Sequence, residues 1–491
     1  MAIQVVTTEQ STLFTIRTKH TTYQMKADEY GVLLHLWYGA SVEGDMSYLL
    51  DYPDVGFSGN LYEAENRRTY SLNTLPLEYA TEGVGDFRIP AVAATHADGS
   101  NALDLRYQSY NILKGKYAIA GLPAVYADED EAETLEIVLK DTATDLQVTL
   151  RYGVLSELDM LTRCVSIQNL GTTPITLTKA ASFCLDLPYG KWEWMHFHGR
   201  HAMERITERT PLIHGIQESS STRGTSSHHQ NPTAILCTPD CTETNGSCFG
   251  AAFLYSGSFQ TKIEYDQMRQ ARMVMGLHPD LFRWELQPNA TFDTPEVLFT
   301  YSDSGLETLS HRFQKTIREH VCRGKYQKIE RPVLINNWEA TYFDFNEEKI
   351  LKIAEEAARL GVDMLVLDDG WFGKRDDDCS GLGDWFVNEQ KLKGGLGTLV
   401  QKVKALGMRF GIWFEPEMVS EDSDLYRTHP EWAIQIPGRK PMRGRYQLLL
   451  DLSNPDVQDY LYERISDILN SADISYVKWD MNRSISDWYT A

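Results

Sequence analysis

The chain has 491 residues, 42% of them hydrophobic, and a formal net charge of −22. That length exceeds one ordinary domain and fits two or three. The negative balance argues against nucleic acid or an anionic membrane as the main partner, since both require clustered Lys and Arg, and leaves a neutral or cationic ligand open.

At the start, Met1-Ala2-Ile3-Gln4 carries no charged segment leading into an apolar run, and no stretch of the chain is long enough to span a bilayer. The seven cysteines are few, odd in number and scattered, as in a reducing compartment. A cytoplasmic protein is expected. From residue 1 to 330 the pattern is one of short alternating runs broken by turns. Leu135, Ile137 and Leu139 form one run, and Leu146, Val148 and Leu150 the next. Val165 and Ile167 lead to a turn at Asn169 to Thr172, and Ile175 and Leu177 follow it. Many short strands at this spacing predict a large β-sandwich over residues 1–330. Cys237, Cys241 and Cys248 cluster in a loop-like stretch without a fourth ligand at zinc spacing, so no metal is expected there. Leu309, Phe313 and Ile317 recur at fours and predict a helix from Leu306 to Val321.

After Arg331-Pro332 the rhythm changes. Val333 to Trp338 reads as a buried strand. Asn346 can cap the next helix, with Glu347 and Glu348 in its first turn, where the dipole favours anions. Ile350, Leu351, Ala354, Ala357, Ala358 and Leu360 supply its apolar face, and Gly361 ends it. Met364 to Leu367 is a strand, Leu399 to Leu406 a helix stopped by Gly407, and Phe410 to Phe414 a strand. Asn454-Pro455 opens a helix with proline at its first position, and Tyr476 to Trp479 is a fourth strand. Strict alternation of strand and helix predicts a parallel sheet. Acids and aromatics recur just past the strands: Trp338-Glu339, Asp368-Asp369 with Trp371, Trp413 with Glu415, and Lys478-Trp479-Asp480. Active sites of (β/α)8 TIM barrels are assembled from such ends, so residues 331–491 read as the first half of that barrel.

A mouth of carboxylates and indoles suits a sugar, whose hydroxyls donate to carboxylates and whose C–H faces pack on rings. Lys478, Asp480 and Asn482 alternate and are expected to share a face, with the lysine keeping the aspartate ionised for use as a nucleophile. Arg445 offers a fork of donors. A competing reading makes Asp368, Asp369, Glu415, Glu417 and Asp480 ligands of Mg²⁺ or Mn²⁺; the resident cation of Lys478 counts against it.

Several segments together are specific. Asn336-Asn337-Trp338-Glu339-Ala340, Leu367-Asp368-Asp369-Gly370-Trp371-Phe372-Gly373, Trp413-Phe414-Glu415-Pro416-Glu417-Met418 and Lys478-Trp479-Asp480-Met481-Asn482-Arg483 resemble motifs of the family-36 glycoside hydrolases, the microbial α-galactosidases. Gly85-Asp86-Phe87-Arg88 and Arg223-Gly224-Thr225-Ser226-Ser227-His228 extend the resemblance into the first half. It implies a retaining enzyme acting on terminal α-galactosides of the melibiose and raffinose type, with Asp480 as nucleophile and no cofactor. It implies that Asp368 and Asp369 hold O4 and O6 of galactose, and that Lys478, Arg445 and Asn482 contact the other hydroxyls. Trp338 and Trp413 would line the pocket, and Trp479 and Met481 belong to the same substrate-binding segment. Asp54 matches an N-terminal position that similar homotetrameric enzymes bring to the site. His201 stands where the family usually has Trp, on the leaving-group side. The family's general acid/base has no counterpart in residues 1–491, so the chain reads as an N-terminal portion, inactive alone. Alternatives are a galactosyl transferase of the same family and a non-catalytic galactoside-binding protein.

Overall fold

The computed structural model describes residues 2–55, 57–141, 143–280, 282–487 and 489. One compact unit ends at Gln327 and a second begins at Lys328.

In the first unit the strands pair antiparallel. Ile3–Thr7, Thr12–Arg17, Thr21–Ala27 and Leu33–Ala40 form one four-stranded sheet. Two larger sheets follow. One contains the long strand Ile175–Leu187; the other runs through Glu133–Asp141, Leu146–Leu155 and Met160–Asn169. The alternation in the sequence explains the register. Ile137, Leu150 and Val165 stand side by side across three strands, as do Leu139, Val148 and Ile167, and none is more than 2% exposed. Burying each such side chain contributes about 1.5–3 kcal/mol. The turn between strands is tied by Asn169, whose Nδ2 donates to the Thr173 carbonyl at 2.8 Å. The helix Gly305–His320 sets Leu309 against Cys237, Cys241 and Cys248, and burial pushes all three thiols above their usual range.

A buried charge pins this core. Glu78 and Arg163 are both inaccessible to solvent and meet at 2.8 Å. Glu78 Oε1 also accepts from the hydroxyls of Tyr23 and Tyr152, both at 2.6 Å, and Oε2 lies 3.1 Å from His35 Nδ1. Burial pushes the Glu78 carboxyl up, but Arg163, His35 and Tyr152 outweigh it, and the net shift is downward.

The second unit holds a parallel sheet in the order Leu334–Asn336, Met364–Leu367, Arg409–Phe414, Tyr476–Trp479. Helices Glu347–Arg359, Gly395–Ala405 and Pro455–Ser471 separate the strands in sequence. Asn346 caps the first, accepting from the Lys349 N–H at 3.0 Å, and Asn454 caps the last, accepting from the Asp456 N–H at 2.9 Å. Two expectations change. The strand after Pro332 is only Leu334–Asn336, and Val333 and Leu334 are exposed rather than buried. It stops because Asn336 Oδ1 accepts the Trp338 N–H at 2.8 Å and turns the chain into a short helix, Trp338–Thr341. Leu360 is the cap residue of its helix and is exposed rather than on the buried face.

Arg163→Met leaves Glu78 buried without its cation. Removing one member of such a pair costs about 3–5 kcal/mol. The lowered Glu78 carboxyl makes the contribution of the pair full above the ordinary carboxylate range and lost as pH falls through the folded value. Thermal melts of the two proteins should therefore diverge at neutral pH and converge in acid. Equal stability at neutral pH would contradict this account of the core.

Candidate active site

The parallel strands deliver their C-terminal ends to one edge of the sheet, and four acids stand just past them. Asp368 follows Leu367. Its N–H donates to Asn337 Oδ1 at 2.8 Å, and its Oδ2 accepts from Asn336 Nδ2 at 2.5 Å and Lys478 Nζ at 2.8 Å. The lysine thus serves Asp368, not Asp480 as expected. Lys478 lies inside its strand, and its long stem passes the intervening strand Arg409–Phe414 to reach the end of Met364–Leu367.

Asp369 is clamped by Arg375, whose Nε and Nη2 donate at 3.0 and 2.9 Å. Both side chains are almost fully buried. Burial raises the Asp369 carboxyl above its ordinary value, against the pull of Arg375.

Asp480 lies one residue beyond its strand. Its N–H donates to the Phe414 carbonyl at 2.8 Å, which continues the sheet pairing. Its Oδ2 accepts from Trp413 Nε1 at 3.0 Å and Asn482 Nδ2 at 2.8 Å, and its Oδ1 accepts the Met481 N–H at 3.1 Å. Three uncharged donors therefore fix the carboxylate. Trp413 is itself held: it is 2% exposed, it lies parallel to Phe372 at 6.2 Å, and its carbonyl accepts Trp371 Nε1 at 2.9 Å.

Glu415, just past Phe414, accepts the Asn482 N–H at 2.9 Å and Gln447 Nε2 at 3.0 Å. Burial pushes its carboxyl up to about 7. Glu417 accepts Trp479 Nε1 at 2.7 Å, and burial raises it too. Among the described residues no three of the acids, cysteines and histidines converge as metal ligands. Asp368, Asp369 and Glu415 already hold a cation or amide donors.

The other sequence-predicted residues fall as follows. Trp338 is half-buried, with Tyr342 and Phe343 edge-on at 5.3 and 5.1 Å. Trp479 is exposed, and Met481 lines an apolar cleft of about 460 Å³ with Leu449, Leu450 and Ile485. Arg445 is exposed on a two-residue hairpin loop closed by the Gln447 N–H on the Gly444 carbonyl at 2.9 Å. Arg445 and Tyr446 both have positive φ, 49° and 61°. A type I′ loop asks for that geometry, which Asn and Gly adopt readily and Arg and Tyr do not. Asp54 and His201 belong to the first unit. Asp54 is exposed and meets Arg68 Nε at 3.0 Å; His201 is exposed at the tip of the hairpin joining Glu193–Arg200 to Met203–Pro211.

Sequence reasoning missed Arg375, Asn336, Asn337 and Gln447 as supports. The two asparagines stood in a quoted motif. Arg375 stood before an acidic run, Asp376-Asp377-Asp378, which resembles an ordinary solvated loop.

Comparison with known proteins identifies relatives along the whole chain. The family profile for the glycosyl hydrolase family 36 N-terminal domain matches residues 31–287, and the profile named Melibiase matches residues 291–491. The chain is 54% identical over 477 residues to the bifunctional alpha-galactosidase/sucrose kinase AgaSK of Mediterraneibacter gnavus, covering 97% of this chain and 51% of that protein. It is 46% identical over 481 residues to alpha-galactosidase AgaA of Geobacillus stearothermophilus, covering 97% and 66%. The chain thus spans about half the length of the first relative and about two-thirds of the second. The galactosidase domain of AgaSK superposes with a TM-score of 0.96 at 52% identity, over 99% of this chain and 68% of that one. A variant of AgaA in complex with raffinose superposes at 0.94 and 46%, over 97% and 66%.

Arg375→Met is expected to unmask the burial cost of Asp369. The carboxyl then rises further, and a raised acid subtracts stability above its folded value and nothing once protonated. The loss, about 3–5 kcal/mol at neutral pH, should shrink as pH is lowered. Urea unfolding near neutrality and in mild acid reads this directly. A loss that grows in acid would show that Asp369 is not the group responsible.

Proposed function

Because this chain belongs to glycosyl hydrolase family 36, we propose that the whole protein is a retaining α-galactosidase that hydrolyses terminal α-galactosides of the melibiose and raffinose type. The observation that carries the reading is Asp480: a carboxylate at a strand end, oriented by three neutral donors, with a second carboxylate, paired with Lys478, past the end of another strand of the same sheet. Asp480 attacks the anomeric carbon from the face opposite the leaving group and forms a glycosyl-enzyme. A carboxylic acid outside residues 1–491 protonates the leaving oxygen, then acts as base while water releases galactose with its configuration retained. Residues 331–491 form the first half of the catalytic barrel in this reading, and residues 1–330 the sandwich domain.

Asp368 and Asp369 keep lone pairs beyond those used by Lys478, Asn336 and Arg375, and accept the axial O4 hydroxyl and O6 of galactose. Lys478, Arg445 and Asn482 donate to the remaining oxygens, and Trp338, Trp413, Trp479 and Met481 border the sugar. Asp54 and His201 enter as substrate contacts on the resemblance alone, as do a homotetramer and a cytoplasmic location. No cofactor is required, so activity should persist in EDTA.

In the whole enzyme Asp480→Gly should lose nearly all turnover, and azide should restore part of it as β-galactosyl azide, because a small anion then attacks from the vacated face. Recovery of the α-azide, or near-normal activity of the variant, would remove Asp480 from the nucleophile's role. A site that accepts hydrogen bonds rejects a misplaced donor by about 10⁴. Nitrophenyl α-glucoside should accordingly be a far poorer substrate than nitrophenyl α-galactoside; comparable kcat/KM values would count against the assignment of Asp368 and Asp369.

A further inference from the structure

Glu415 is a carboxyl that the reaction scheme does not use, and it sits where a buried acid needs a reason. It leaves the sheet directly after Phe414, and Pro416 behind it confines its backbone to the extended region. It is 1% exposed. Its two oxygens join three pieces of chain. Oε1 accepts the backbone N–H of Asn482, Oε2 accepts the side-chain amide of Gln447, and its own strand supplies Trp413 and Phe414. Two of those pieces also bear on Asp480. Trp413 Nε1 and Asn482 Nδ2 donate to one carboxylate oxygen, and the Phe414 carbonyl takes the Asp480 N–H. Gln447 is the first residue of the strand behind the Arg445 loop, and its carbonyl accepts Arg483 Nη1 at 2.6 Å.

We propose that Glu415 is a positioning residue for the nucleophile: it anchors the turn from Asp480 to Asn482, so that Asn482 and Trp413 converge on one oxygen of the attacking carboxylate. The proposal rests on the reading of Asp480 given above. Glu415 itself touches neither the reacting carbon nor Asp480.

The charged groups facing Glu415 define how it does this. Asp480 on the following segment opposes its ionisation, Arg445 on the hairpin loop favours it, and burial outweighs both and pushes the carboxyl up to about 7. Arg483 is engaged with the Gln447 carbonyl, Glu417 with Trp479, and Lys478 with Asp368. The raised carboxyl places an anchor near the nucleophile with less of a second negative charge than an ordinary carboxylate would bring. As the pH rises through 7 it ionises and two carboxylates confront each other across Asn482. Capture of the galactosyl group neutralises Asp480 and relieves that repulsion, so by linkage the glycosyl-enzyme favours ionised Glu415 more than the free enzyme does.

The test is a cycle of variants in the whole enzyme. Glu415→Ala removes the anchor and frees Asn482. Misplacement of a reacting group by about 1 Å costs on the order of 10²-fold, so kcat should fall by that order with little change in KM. Glu415→Gln keeps a carbonyl for the Asn482 N–H and should recover most of the loss. The decisive comparison is in the Asp480→Gly background with azide. There the nucleophile no longer hangs on the 480–482 turn, so adding Glu415→Ala should cost at most a few-fold in the azide-rescued rate. A loss as large with azide as without it would overturn the proposal, since it would mean general damage to the site. So would an unchanged kcat in Glu415→Ala. If Asp480→Gly gives no β-azide at all, it is the reading of Asp480 that fails, and the two failures are told apart.

Discussion

A carboxylate withdrawn from water must be met by donors, and the second unit is organised around that requirement. Four acids stand past the ends of neighbouring strands, and each has a different kind of partner. Asp368 has a lysine and an asparagine, Asp369 an arginine fork, Asp480 three neutral N–H groups, and Glu415 a backbone amide and a glutamine. The choice of partner decides what an acid can do. A cation satisfies a carboxylate and lowers its appetite for anything else. Neutral donors orient it and leave its charge available. Asp480 is the one of the four with only neutral donors of both the indole and the amide kind, which is what the proposed nucleophile's role asks of it.

Those partners come from far apart in sequence. Lys478 and Asp368 are 110 residues apart, and Trp413 and Asp480 are 67 apart. Only the parallel register closes these distances, with Leu367 beside Ile412 and Trp413 beside Lys478. Two of the three helices that make the crossings possible are begun by asparagine caps, and apolar stripes such as Ile350, Ala354 and Ala357 pack them. The site is thus a product of the sheet's order rather than of any one loop.

Much of this was legible beforehand because its signals are local. Alternation in Ile137, Leu139, Val148 and Leu150 reports a pleated, buried surface directly, and Asn454-Pro455 announces a helix start within two residues. The strand-end acids were visible for the same reason. Their partners were not. Nothing near Lys478 in sequence says that its ammonium reaches across a strand to Asp368, and Asp480, two residues away, was the natural guess. Arg375 was masked by the acidic run after it. What stays hidden is pairing across sequence distance, which depends on the register and not on residue type.

The Arg445–Tyr446 loop carries a further meaning. Two bulky residues are held with positive φ where Asn-Gly would sit without strain. Folding alone does not call for them, so under the proposed contact of Arg445 with the sugar the pair marks a position where recognition and stability pull apart. Libraries screened only for heat resistance will drift toward glycine at this dipeptide, and the variants that melt highest will be those from which a guanidinium has been lost at the mouth of the sheet.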